Sequence, residues 1–75
     1  MRYLIASTEK AINYGIAVKG HYRSEGKVIL NEKEVMTCPY IPEAESLEER
    51  ASILDAEIHD MINIKQIIRK GDWKI

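Results

Sequence analysis

The chain has 75 residues, of which 45% are hydrophobic and 31% charged, and its formal net charge is −1. That length holds one domain and excludes doubly wound sheets and closed α/β barrels. A sequence pI of about 6.1 excludes a generally basic nucleic-acid binder.

The single cysteine, Cys38, leaves no intramolecular disulfide to form. His21 and His59 stand far apart, with no partner at a metal-ligand spacing, so neither a metal nor a cofactor is expected. A lone fold of this size is marginal, and oligomerisation is the remaining staple. No apolar run approaches the ~20 residues that span a bilayer. The run Tyr3–Ala6 is too short for the core of a signal peptide. These features place the chain in the cytoplasm, with no membrane contact. Phe is absent and twelve Ile stand against four Leu. Ile suits pleated, half-buried surfaces, so the composition predicts an α+β domain spanning 1–75.

In chain order, residues 2–6 read as a strand. Ser7 and Thr8 then offer N-cap oxygens, and Gly15 offers a stop, for a short helix over 8–14. Residues 16–30 read as a hairpin, with arms 16–23 and 27–30 and a bulged loop at Ser24-Glu25-Gly26. Asn31 can cap one helical turn over 32–36. Pro39 and Pro42 disfavour helix before them, which makes 37–45 an internal linker.

Ser46-Leu47-Glu48-Glu49 has the form of a capping box. Apolar residues follow at Leu47, Ala51, Leu54, Ile58, Met61 and Ile62, and Arg69, Lys70 and Gly71 look like a helix end. The spacing predicts one long amphipathic helix over 47–69. The resulting order is roughly β-α-β-β-α. The stripe changes phase, however: Lys65 falls in its middle, while Ile64, Ile67 and Ile68 move to one side. The alternative is a helix that stops near Met61, with a strand beginning at Ile62. A helix over 47–69 would be roughly 34 Å long, more than the roughly 24 Å diameter of so small a domain. Its second face would need cover, and a symmetric partner would supply it.

No arrangement of residues specifies a reaction. Cys38 and His59, with Asp55 one helical turn before the histidine, are the one nucleophile and base pair that residue type allows. A buried, inert cysteine is the commoner role in a domain without room for a cleft. Glu43, Glu45, Glu48 and Glu49 sit where a helix start favours acids. Glycine-rich phosphate loops are absent. The expectation is a non-enzymatic protein-interaction or oligomerisation module, a homodimer or a subunit with a protein partner. Its interface residues would be Ile64, Ile67, Ile68 and Trp73. No small-molecule substrate is inferred.

Charge supplies the second reading. Residues 1–30 carry Arg2, Lys10, Lys19, Arg23 and Lys27 against Glu9 and Glu25. Residues 31–60 are strongly acidic, and 61–75 are basic again, with Lys65, Arg69, Lys70 and Lys74 against Asp72. A basic hairpin face with Arg2, Lys19, Arg23 and Lys27 as contacts therefore makes a nucleic-acid-binding accessory protein the alternative.

Overall fold

The computed structural model describes residues 1–41 and 43–75. Strand β1 (Arg2–Ser7) sits inside the sheet, with a partner on each side. Its run Tyr3-Leu4-Ile5-Ala6 lacks polar alternation, as expected of a strand covered on both faces. Leu4 and Ala6 enter one core with Val28 and Leu30. Ile5 points the other way and joins Ile29 and Ile64 in a second core. The α+β class is as expected, but the sheet is covered on both faces.

Ser7 caps helix α1 (Thr8–Asn13), its hydroxyl accepting from the Lys10 N–H at 3.2 Å. Gly15 ends that helix with φ at +79°. The Gly15 N–H then donates to the Ile12 carbonyl and the Ile16 N–H to the Ala11 carbonyl, the paired bonds of a left-handed stop.

The hairpin is shorter than 16–30. Only β2 (Arg23–Ser24) and β3 (Lys27–Asn31) pair, because a turn at Lys19-Gly20 interrupts the first arm. The loop is also tighter than a bulge. Ser24 pairs with Lys27, and Glu25 and Gly26 both have positive φ, 48° and 79°. That is the two-residue primed turn whose twist matches antiparallel strands.

Asn31 caps α2 (Glu32–Met36) in a full capping box with Glu34. Ser46 and Glu49 form the second box, which opens α3 (Leu47–Ile53). The linker between these helices is held by Arg50. Its guanidinium donates to the carbonyls of Val35 at 2.7 Å, Cys38 at 2.9 Å and Ala44 at 2.9 Å. Pro42, one of the two linker prolines, lies outside the described residues.

The single helix over 47–69 is corrected. Helix α3 stops at Leu54, strand β4 (Glu57–Asp60) follows, and α4 (Met61–Lys70) begins immediately. The alternative strand at Ile62 is also overturned, since 61–69 is helical. The stop has the same form as the one at Gly15, but Asp55 occupies the left-handed position, with φ at 51°. The Asp55 N–H donates to Ser52 and the Ala56 N–H to Ala51. Aspartate tolerates this conformation better than most residues. Asp60 then caps α4, its carboxylate accepting from the Asn63 N–H at 2.8 Å.

Among the described residues the strands form one antiparallel sheet in the order β2-β3-β1-β4. The core containing Ala11, Val35, Leu47, Ala51 and Leu54 places α1, α2 and α3 on one face. Helix α4 covers the other. Beyond α4, Lys74 pairs with Arg23 through two backbone bonds, so the tail lies along the β2 edge. The accessible surface, 4977 Å², is close to the roughly 4,700 Å² expected of a monomer of this mass.

Arg50 donates to three carbonyls, of which that of Val35 also accepts from the Cys38 N–H at 3.3 Å. Arg50→Lys keeps the charge but loses the planar fork. The substitution should lower the unfolding free energy by about 2 kcal/mol in urea denaturation, the scale of losing charge-assisted hydrogen bonds.

Candidate functional site

The phase change in the apolar stripe has an intramolecular cause. Leu47, Ala51 and Leu54 face the core under α3, while Ile64, Ile67 and Ile68 face the opposite side of the sheet. Ile64 is 4% exposed, packed with Ile5 and Ile29. Ile67, Ile68 and Trp73 are half-buried against the same cluster. Gly71 makes room for the tryptophan: a Cβ there would stand 2.8 Å from the indole Cδ1 and Nε1. With φ at −110°, Gly71 is not a left-handed stop.

Helix α4 does not cover its face of the sheet completely. Beside it opens a pocket of about 410 Å³, floored by Ile29, Ile64 and Ile68. Tyr3 from β1 and Tyr22 from the loop before β2 supply aromatic walls. Lys65 and Met61 reach it from α4, and Asn31 and Glu34 from the start of α2.

His21 is the polar hinge of this pocket. Its Nε2 lies 2.9 Å and 3.0 Å from the two Glu34 carboxylate oxygens, and its Nδ1 lies 3.2 Å from the Lys19 carbonyl. Both ring nitrogens therefore face acceptors, and only the imidazolium satisfies both. Burial disfavours that charge, and Arg23 opposes it further. The bonds to Glu34 and Lys19 and the Glu34 charge outweigh both, and the His21 pKa is raised above its ordinary value. Glu34 also accepts from the Asn31 N–H at 2.8 Å, so one carboxylate closes the α2 cap and anchors the loop.

The basic residues singled out for nucleic acid do not form one patch. Arg2 is tied to Glu32 at 3.1 Å and Glu48 at 3.3 Å. It lies at the β4 end of the β1 ladder, whereas Lys27 pairs with Ser7 at the other end. Lys19 is exposed in the loop before His21. Arg23 pairs with Val28 on one side and Lys74 on the other, which brings the basic hairpin against the basic tail.

Cys38 and His59 are separated by the sheet. The Cys38 thiol is buried in the α1–α3 core and donates to the Tyr14 carbonyl at 3.3 Å. His59 pairs with Tyr3, on the α4 face. Its Nε2 is shielded from solvent without a hydrogen-bond partner, 3.6 Å from Glu57. Among the described residues no cluster of metal-ligating side chains occurs, and no helix is long and apolar enough to cross a membrane.

No family model, curated protein or solved structure matches this chain.

The His21–Glu34 pair gives a signed pH dependence. A raised folded-state pKa means that the His21 contribution is full below the unfolded value and is lost as pH rises through the folded one. The urea midpoint should therefore fall above about pH 6.5, and the fall should flatten in His21→Gln. Imidazole NMR titration should place His21 above the ordinary histidine value and show Glu34→Gln moving it back down.

Proposed function

We propose that the chain is a non-enzymatic protein-interaction module whose working surface is the α4 face. The supporting observation is the apolar surface left beside the pocket. Ile62 is 69% exposed and Met61 41%, with Tyr22 also exposed at the pocket wall. Exposed apolar side chains grouped around a concavity are what a docking surface requires.

Charge selects the partner. Lys65, Arg69 and Lys70 stand on α4, with Lys74 just beyond it. Two copies meeting α4 to α4 would oppose like charges, and the surface area above calls for no obligatory cover. We therefore give the homodimer second place to an acidic partner segment carrying an apolar anchor. Of the interface residues expected from sequence, Ile67, Ile68 and Trp73 are half-buried at the margin of this surface, and Ile64 supports it from beneath. We place the module in the cytoplasm, where its lone thiol stays reduced. Panning a random peptide library should enrich segments that combine Asp or Glu with an aromatic or aliphatic anchor. Ile62→Asp should abolish that enrichment. Equal recovery on the wild type and the variant would overturn the reading.

A nucleic-acid accessory role is the second reading, favoured by the Arg23–Lys74 pairing. Binding of single-stranded RNA or DNA should then weaken steeply between 50 and 200 mM salt and drop in a Lys27→Glu/Lys74→Glu variant. A flat titration at low salt removes it.

A further inference from the structure

We infer that the pocket between α4 and the sheet binds a small aryl monocarboxylate. This goes beyond the protein-partner reading, whose apolar anchor point is Ile62 outside the pocket, while Met61 and Tyr22 border both surfaces. The volume, about 410 Å³, lies in the range of small-molecule sites. An apolar floor with a few polar groups is the usual lining of such sites. Here the floor is Ile29, Ile64 and Ile68, and the two aromatic walls favour a flat aromatic body.

The charges choose the ligand's sign and magnitude. His21 and Glu34 lie within ion-pair distance and offset one another. Lys65 has no carboxylate within 4.0 Å among the described residues, so the pocket presents one uncompensated positive charge. A monoanion matches it. A dianionic phosphate would set its surplus charge against the Glu34 carboxylate, and an amine would meet Lys65 directly. A carboxylate receives the Lys65 ammonium while its ring covers the isoleucine floor. Burial of that ring supplies affinity, and the ion pair supplies selectivity.

The test compares 2-naphthoate with 2-naphthylmethylammonium, which share an aromatic body and differ in charge. In ¹⁵N-resolved NMR titrations 2-naphthoate should shift the amides of Ile29, Ile64, Lys65 and Ile68, with the amine at least tenfold weaker. Lys65→Gln, a surface change on α4, should weaken 2-naphthoate about tenfold and strengthen the amine, which no longer meets a like charge. Ile62→Asp lies outside the pocket and should leave 2-naphthoate binding unchanged while abolishing peptide enrichment, so the two readings fail separately. Equal affinity for the two compounds overturns the proposal. So does unchanged affinity in Lys65→Gln, shifts centred on α3, or no shift at millimolar 2-naphthoate.

Discussion

The two-sided pairing of β1 is the constraint on which the rest of the molecule depends. Tyr3 to Ser7 pair with β3 while Arg2 to Ile5 pair with β4, so six residues fix the register of three strands. Alternation then sends Leu4 and Ala6 to one core and Ile5 to the other. A one-residue slip would exchange those sets and bury Ser7 or Arg2 in their place. Each face has its own helical cover, so a slip would misplace both. This is how 75 residues with a single cysteine hold two cores. The cores are small, but they share a backbone that cannot shift for one without spoiling the other.

The sequence shows where structure begins more clearly than where it ends. Starts depend on a side-chain oxygen and an acid at fixed spacing, and Ser46 with Glu49 was legible as such. Stops depend on a backbone conformation. Gly15 announces the left-handed one, but Asp55 adopts the same conformation without announcing it. A stretch without Gly or Pro therefore read as one helix although it holds a helix, a strand and a second helix. The misplaced phase of Ile64, Ile67 and Ile68 was the visible symptom. Its cause is that α3 and α4 lie on opposite faces of one sheet, not that one helix carries two faces. The uninterrupted apolar runs Leu4-Ile5-Ala6 and Val28-Ile29-Leu30 carried the missing signal, because a strand with no polar side has no solvent side.

The site was less legible than the fold. His21 and Glu34 are thirteen residues apart, and only the loop and the α2 cap bring them together. No spacing rule anticipates such a pair, since neither residue lies on a shared helix or strand. Glu34 had a local role as the third residue after Asn31, and its second oxygen was free to take a long-range one. Sequence proximity of residue types misled in the opposite sense at Cys38 and His59, where the sheet intervenes.

The edges of the sheet narrow where a partner can act. At β2 the chain's own tail occupies the edge through Arg23 and Lys74. At β4 the edge carries Glu57-Ile58-His59-Asp60. An antiparallel pairing of two such strands, centred between Ile58 and His59, sets Glu57 of one copy opposite Asp60 of the other at both ends. Like charges directly opposite destabilise a strand pair, and charged edges discourage strand addition. Strand addition is thus blocked at one edge and disfavoured at the other. The unequal charge of the chain follows the same division, because the acidic middle segment contributes α2, α3 and β4 while the basic final segment contributes α4 and the tail. The net charge of −1 is the sum of that acidic middle segment and two basic ones, the first thirty residues and the last fifteen. On the α4 face, by contrast, apolar exposure, a concavity and a lysine with no ion-pair partner among the described residues coincide.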